Sequence, residues 1–175
     1  MSDEAVLQRL QALESESAIR RVVARYFAIC DNLGPNTPFD DLGALFSESA
    51  IWEGKGRYAK SFGRYEGRDA IVSMLRSYAL PEPHFAMTAH FFSSESLTAS
   101  GDTGSGQWMM LQTSDYADGT ADFRSARLTM KFAREGGAWR IARFRTENIF
   151  SRQVEPWNDE ESIAVPDLAS SGAER

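Results

Sequence analysis

The stretch RLTMKFAREGGAWRIARFR, residues 127–145, contains two runs of alternating apolar and polar side chains separated by Gly136 and Gly137. A pair of glycines between alternating runs is typical of a tight β-hairpin turn. The same period of two occupies most of the second half of the chain and predicts four strands, at Met87 to Thr98, Gly104 to Tyr116, Ala121 to Arg134 and Ala138 to Ser151. Because the turns between them are short, we expect an antiparallel sheet.

The N-terminal part of the chain has a different period. Apolar residues recur at every third or fourth position from Val6 to Cys30, as on one face of an amphipathic helix. This pattern predicts a long helix from about Glu4 to Asp31, with Glu16 as a point at which it could break. The residues that follow are typical of a helix end: Asn32, Gly34 and Pro35.

Shorter elements are expected between the long helix and the sheet. Asp40 to Phe46 predicts a short helix and Ala50 to Gly54 a strand. KGRYAKSFGRYEG, residues 55–67, predicts a hairpin or a strand with a long turn, because glycines interrupt an aromatic and basic stretch. A further apolar stripe, with Asp69 in its acidic first turn, predicts a helix from Gly67 to Tyr78.

Helices followed by antiparallel strands indicate an α+β fold in which helices cover one face of the sheet. We expect a cone-shaped α+β barrel, with a curved, mostly antiparallel sheet wrapped around the long helix and a hydrophobic pocket inside. The 175 residues suit one domain, which we place at residues 1–153. The acidic tail, residues 154–175, is predicted to be partly disordered.

Charge and hydropathy exclude several classes of partner. The net charge of −6 argues against nucleic-acid binding, which needs a concentrated basic face. No apolar run approaches the roughly 20 residues that span a bilayer, so no membrane association is expected. The start, MSDEAVLQRLQ, lacks the basic and then apolar order of a signal peptide, and we expect a cytoplasmic location.

The sequence offers little for a cofactor or a metal ion. Cys30 is the single cysteine and there are two histidines, so neither a disulfide nor a closed zinc site is predicted, and Cys30 is interpreted as a core residue. The chain also lacks a Gly-rich phosphate loop and a nucleophile elbow in a strand-to-helix context. We therefore expect no cofactor and no metal.

The order of several short pieces resembles one known family. After the long helix come ALFSESAIWE (44–53), GRYEGRDAIVSML (63–75), TAHFFSSESL (88–97) and GAWRIARFR (137–145). This order is similar to the SnoaL-like branch of the nuclear transport factor 2-like superfamily, over Ala12 to about Gln153. The superfamily includes scytalone dehydratase, a bile-acid dehydratase, hexachlorocyclohexane dehydrochlorinase, ketosteroid isomerase, polyketide cyclases and small subunits of ring-hydroxylating dioxygenases. The resemblance alone therefore implies a fold but no single reaction.

Asp31 and His90 resemble the catalytic pair of the dehydratases and the dehydrochlorinase. There, an Asp at the end of the first long helix holds a His on a central strand, and the His removes a proton from substrate carbon. The physical argument for such a pair is independent of the resemblance. A carboxylate hydrogen-bonded to one imidazole nitrogen leaves the other nitrogen as a proton acceptor and stabilises the imidazolium that forms.

Each of these residues also has an ordinary structural interpretation. Asp31 could be a solvated helix terminus, but a carboxylate near the negative end of a helix is unfavourable by about 0.3–1 kcal/mol. Asp31 also follows Phe27 and Val23 by four and eight positions, which places it on the buried stripe, where a carboxylate needs a partner. His90 alone would be a structural sheet histidine. His84 is expected on the surface or at the pocket rim.

Further site residues are predicted on the long helix and along several of the strands. Tyr26 resembles a pocket tyrosine of some dehydratases that polarises a substrate oxygen, although helical geometry displaces it from Asp31 and a core role is an equal alternative. Aromatic and sulfur side chains that could line a hydrophobic cavity, or else form plain core, are Trp52, Phe62, Trp108, Met110, Phe144 and either Phe91 or Phe92.

The last strand offers polar candidates. In some relatives this strand presents an arginine or an asparagine to the substrate. Alternation places Arg143 and Arg145 on one face of the sheet and Phe144, Thr146 and Asn148 on the other. We therefore expect Asn148 to bind the substrate in the pocket, and we retain Arg145 as a second candidate that could instead lie in a subunit interface.

These features predict a cofactor-independent lyase or isomerase that resembles a dehydratase. His90, oriented by Asp31, would abstract a proton from a small hydrophobic ring compound, neutral or singly charged, whose oxygen is held by Asn148 or Tyr26. One alternative is a non-catalytic small-molecule binding protein of the same fold. A second is the small subunit of a ring-hydroxylating dioxygenase, in which the pair Asp31 and His90 would have no purpose.

Association of the chain with itself is also expected. Open curved sheets of this superfamily usually bury their outer face against another copy. FRSARLTMKFA (123–133) and WRIARFRTENIF (139–150) are rich in arginine and aromatic residues, as interfaces often are. The prediction is a homodimer or a homotrimer.

Overall fold

The computed structural model describes residues 2–158, which form four helices and one six-stranded sheet. The elements are α1 Asp3–Cys30, α2 Phe39–Ala44, β1 Phe46–Lys55, α3 Tyr58–Ser61, β2 Arg64–Glu66, α4 Arg68–Arg76, β3 Phe85–Ser100, β4 Thr103–Tyr116, β5 Ala121–Glu135 and β6 Ala138–Val154. The fold is α+β, as the order of the sequence patterns predicts. Of the acidic tail, residues 159–175 lie outside the described residues.

The sheet has the order β2-β1-β6-β5-β4-β3. β1 and β6 are parallel, and the other neighbours are antiparallel. Gly136 and Gly137 form the β5–β6 turn with φ values of 58° and 82°, which only glycine adopts without strain, so the predicted hairpin is confirmed. Register shifts in β3, β5 and β6 bend the long strands. The sheet therefore curves around the helices.

Helix α1 is continuous, so the predicted break near Glu16 is wrong. Ser2 caps its start by accepting the Ala5 backbone N–H at 3.4 Å. At the expected break, Arg20 bonds both Glu16 at 3.4 Å and Glu95 of β3 at 2.7 Å. An i,i+4 ion pair thus stabilises the exposed side of the helix, and a second ion pair of Arg20 links the helix to β3.

The connecting elements differ from prediction in two places. Phe46, expected at a helix end, starts β1 because its ring is fully buried and its backbone pairs with Ile141 of β6. The expected hairpin at residues 55–67 contains the helix α3 as well as the short strand β2. Gly56 and Gly63, with φ of 56° and 70°, turn the chain on either side of α3.

The core lies between the concave face of the sheet and the helices α1, α2 and α4. Its fully enclosed side chains come from all three helices and from the central strands: Ile19, Leu42, Phe46, Ile71, Leu128, Met130 and Ile141. None of the helices in residues 2–158 combines the length and apolar character needed to cross a membrane.

A charged cluster lies on the convex face of the sheet, around Glu53 of β1. Its carboxylate, 3% exposed, accepts from Arg143 at 2.7 Å, from Arg145 at 2.8 Å and from Arg64 at 2.9 Å. Burial opposes the charged form of Glu53, but the hydrogen bonds from the three arginines outweigh it and lower its pKa to about 2. A single carboxylate of β1 therefore compensates three arginines from the two neighbouring strands, β2 and β6.

Glu53→Gln is expected to destabilise the protein by about 3 kcal/mol at neutral pH, because it leaves the arginines without their buried counter-charge. Since the pKa of Glu53 falls from 4.5 to about 2 on folding, the stabilisation is complete above pH 4.5 and is lost as the pH falls towards 2. Urea denaturation at several pH values measures both effects.

Glu66→Gln is the matched control, because Glu66 also bonds Arg64, at 2.7 Å, but is 67% exposed. It should change stability much less than Glu53→Gln. A difference between wild type and Glu53→Gln that stays constant from pH 6 to pH 3 would contradict the proposed role of the Glu53 charge.

Candidate active site

Asp31 ends α1 and reaches the edge strand β3. Its backbone N–H still donates to Phe27 O at 2.8 Å, so the hydrogen-bonding pattern of α1 continues up to Asp31. One carboxylate oxygen, Oδ1, bonds Nδ1 of His90, and the other, Oδ2, accepts the His90 backbone N–H at 3.5 Å. The two side chains are 26% and 12% exposed. The structure thus brings together the residues that the sequence pairs.

The contact fixes the state of the imidazole. A carboxylate is an acceptor, so Nδ1 of His90 carries a proton and Nε2 is left as the proton acceptor. The Asp31 carboxylate lies next to the ring that would carry a positive charge after Nε2 takes up a proton. The Phe27 ring, 5.0 Å from the imidazole, covers it on one side. His90 is therefore arranged as a general base.

A cavity of about 200 Å³ lies between the helices and the concave face of the sheet, with His90 in its wall. Most of its wall is apolar: Phe27, Cys30, Leu33, Trp52, Tyr58, Phe62, Met74, Leu75, Phe85, Met110, Leu128 and Phe144. Polar groups enter it at a few points: Tyr78, His84, Thr88, Gln112, Tyr116, Arg124 and Thr146. Such a lining suits a small ring compound with few polar groups.

Four of the residues expected to line a cavity do line it. Trp52 stacks on Phe144, with ring centroids 5.3 Å apart and planes at 5°. Phe62 meets the edge of Trp52 at 5.6 Å, and Met110 lies on the facing strand β4. These side chains form a rigid apolar wall around the space next to His90.

Tyr26 does not lie on the cavity wall. It is 3% exposed, and its hydroxyl accepts a hydrogen bond from Trp52 Nε1 at 3.2 Å, so the indole separates it from the cavity. Burial raises the pKa of Tyr26 well above its usual value. The five-residue spacing from Asp31 turns Tyr26 into the core, which corrects its expected contact with substrate and leaves it a support for Trp52.

Trp108 also lies away from the cavity. It shares the concave face with Met110 but sits about 7 Å further along β4, where side chains fill the cone. Its indole covers Gly106, where an added Cβ would approach the ring to 2.2 Å, and donates from Nε1 to Glu95 at 3.0 Å. The expected lining role of Trp108 is corrected to a core role.

Phe91 and Phe92 of β3 are not lining residues either. Phe92 packs on Phe27, with ring centroids 4.3 Å apart, and Phe91 points to the convex face, where it is 57% exposed.

The polar candidates of β6 are likewise placed elsewhere. Asn148 lies past the cavity, at a register shift of the strand, and its amide donates to Phe150 O at 2.9 Å and Ser151 Oγ at 2.8 Å. Arg145 lies on the convex face in the Glu53 cluster. Thr146 is the polar residue of β6 on the cavity wall. Alternation assigned the faces correctly, but it could not show how far along β6 the cavity extends.

Sequence reasoning missed the polar cavity residues of β4 and β5. Gln112 of β4 bonds Thr88 at 3.3 Å and Ser114 at 3.0 Å, and Arg124 of β5 lies beside it in the cavity wall. Counting by twos from Met110 would have placed Gln112 on the concave face, and counting by twos from Leu128 would have placed Arg124 there as well. Alternation does not show that either residue lies level with the cavity.

The remaining titratable cavity residues differ in environment. Burial raises the pKa of the Cys30 thiol to about 12, so it stays protonated at neutral pH. His84 is exposed at the cavity rim, with its ring 5.5 Å from Tyr78. Within residues 2–158, no three His, Cys, Asp or Glu side chains are grouped as metal ligands would be.

A family model for the SnoaL-like domain matches residues 11–145, most of the chain. The chain belongs to the SnoaL-like domain family. No curated protein matches this SnoaL-like domain in sequence.

Solved structures share its fold. Hexachlorocyclohexane dehydrochlorinase LinA-type3 from Novosphingobium barchaimii LL02 is 17% identical with a TM-score of 0.68, over 91% of this chain and 99% of that one. A candidate scytalone dehydratase from Novosphingobium aromaticivorans is 18% identical with a TM-score of 0.67, over 85% and 97% of the two chains. A candidate aromatic ring hydroxylase from the same organism is 18% identical with a TM-score of 0.70, over 81% and 94%.

Asp31→Asn is expected to invert the tautomer of His90. The backbone N–H of His90 holds the acceptor oxygen of the new amide, so the amide NH₂ faces Nδ1 and the imidazole proton moves to Nε2. Long-range ¹⁵N–¹H spectra distinguish the tautomers, and the protein has only two histidines to assign. His84 is the internal control. An Nε2–H tautomer already present in wild type would contradict the assigned state.

Proposed function

We propose that this SnoaL-like domain is a cofactor-independent lyase or isomerase that acts on a small ring compound. The observation that carries the proposal is the Asp31–His90 pair, because it places His90 in the wall of an apolar cavity with its Nε2 free of hydrogen bonds to any of residues 2–158. The pair supplies a base and the cavity supplies a site with little competing water.

The reaction starts with transfer of a proton from a substrate carbon to His90 Nε2. The electron pair of the broken C–H bond either expels a leaving group from the adjacent carbon, which gives a double bond, or is held on a neighbouring carbonyl until the proton returns at another carbon. Asp31 stabilises the imidazolium in both cases, and the imidazolium can return its proton to the leaving group or to carbon. The structural neighbours named for a dehydrochlorinase and a dehydratase support the elimination.

The test uses cyclic ketones, alcohols and chlorides as probes in D₂O, followed by NMR and mass spectrometry. A substrate should show deuterium at the acidic carbon or loss of water or HCl. His90→Ala and Asp31→Asn should each slow the reaction by at least about 100-fold. Asp41→Asn, which changes an exposed carboxylate that is not a lining residue of the cavity, is the matched control and should retain activity. Unchanged turnover in His90→Ala would disprove the role of His90 as the base.

The non-catalytic binding protein stays the principal alternative, because the same apolar cavity could hold a ligand without proton transfer. It would show ligand-induced stabilisation of wild type and His90→Ala alike, with no deuterium exchange for any bound probe.

The dioxygenase small subunit is the third alternative. A structural neighbour named as a candidate aromatic ring hydroxylase gives it some support, although the identity is too low to show more than the fold. In this case the protein should copurify from its native cells with an iron–sulfur partner.

We further propose that the chain forms a homodimer or homotrimer through the convex face of the sheet. Phe91 and Leu111 are paired across β3 and β4 and are 57% and 41% exposed. Light scattering at micromolar concentration should show two or three copies, and Leu111→Glu should dissociate them. Leu13→Glu, an equally apolar exposed position on α1, is the control. A monomeric wild-type protein would contradict association.

A further inference from the structure

A polar row crosses the cavity wall from His90. His90 of β3 is directly opposite Gln112 of β4, and Gln112 is directly opposite Arg124 of β5. Neighbouring strands lie about 4.8 Å apart, so the backbones of His90 and Arg124 are separated by about 10 Å. All three side chains line the same cavity. The wall of the cavity therefore carries a proton acceptor on β3 and a guanidinium two strands away on β5, and their backbones are separated by about the width of a ring system.

One edge of the Arg124 guanidinium, formed by Nε and Nη2, is hydrogen-bonded within the fold. Its Nε donates to Asp122 Oδ2 and its Nη2 to the hydroxyl of Tyr116, which itself donates to Asp122 at 2.8 Å. Among residues 2–158, Nη1 has no hydrogen-bond partner. The edge formed by Nη1 and Nη2 is thus left with donors in the forked arrangement that binds a carboxylate through two oxygens.

The surroundings keep Arg124 charged and oriented. Its side chain is 24% exposed, and that of Asp122 is 7% exposed. Burial opposes the charge of Arg124, but Tyr116 and Asp122 raise its pKa above the usual value. The arginine is therefore a fixed cation in a mostly apolar wall. An ion pair with a purely structural role would not require a position in that wall.

We propose that Arg124 binds a carboxylate of the substrate, so that the substrate class is a ring-bearing carboxylic acid whose reacting carbon lies on the opposite side, at His90. This inference rests on the proposed function only where it places the reacting carbon at His90. The binding of a carboxylate by Arg124 does not depend on it. The inference refines the expected ligand from neutral or singly charged to a monoanion, and it assigns to Arg124 a role in specificity.

Matched pairs of acids and amides test the inference: benzoate with benzamide, and 2-naphthoate with 2-naphthamide. Each pair has nearly the same shape but differs in charge. By calorimetry at pH 7.5, wild type should bind at least one acid about tenfold or more tightly than its amide. Arg124→Gln should abolish this preference. Arg127→Gln, which removes an exposed arginine from the same strand, is the matched control and should preserve it.

Arg124→Lys keeps the test decisive if Arg124→Gln does not fold. Lysine retains the charge but lacks the fork, so the preference for the acid should fall by about threefold or more. Equal binding of acid and amide by wild type, failure of both members of each pair to bind at millimolar concentration, or an unchanged preference in Arg124→Lys would each overturn the inference.

The same measurements separate this inference from the proposed function. His90→Ala should retain the preference for the acid, because Arg124 is untouched. A strong preference for acids without His90-dependent deuterium exchange would support the carboxylate site while rejecting the lyase or isomerase. Catalysis without any preference for acids would do the reverse.

Discussion

The contact between Asp31 and His90 joins the end of α1 to the edge strand β3 and places the imidazole in the wall of the cavity. A carboxylate at the negative end of a helix is unfavourable unless a partner compensates it, and His90 is the partner that the structure supplies with both its ring and its backbone N–H. The requirement that the helix end be neutralised thus also orients the imidazole. The same contact serves stability and chemistry.

The two faces of the sheet use charge differently. On the convex face, Arg143 and Arg145 both bond the buried Glu53, which compensates their charges within the fold. On the concave face, Arg124 is only partly satisfied by Asp122 and Tyr116 and borders an apolar space. A cation with open donors in such a wall is a stronger indication of a ligand than a cation in a saturated cluster, because it still has donors that a ligand can accept from.

The fold itself selects no reaction, since structures of similar shape carry names as different as a dehydrochlorinase and an aromatic ring hydroxylase. What distinguishes this chain is the set of side chains that line its cavity. Trp52, Phe144 and Met110 leave an apolar slot beside His90, and Gln112 and Arg124 border it on the adjoining strands. Any account of its function must explain a base and a cation two strands apart in the same wall of that cavity.

The sequence by itself determined the long helix, the four long strands and the glycine hairpin, because periodicity and turn residues are local properties. Helix-end electrostatics indicated that Asp31 needs a partner, and the resemblance to the family implied that this partner is His90. It also assigned the faces of β6. Tertiary structure alone decided where along each strand the cavity begins and ends. Tyr26 and Trp108 lie on inward-facing positions yet pack in the filled part of the cone, Asn148 lies beyond its reach, and Arg124 enters it. Depth within a curved sheet depends on bulges and on strand register, which join residues far apart in the chain and leave no local pattern.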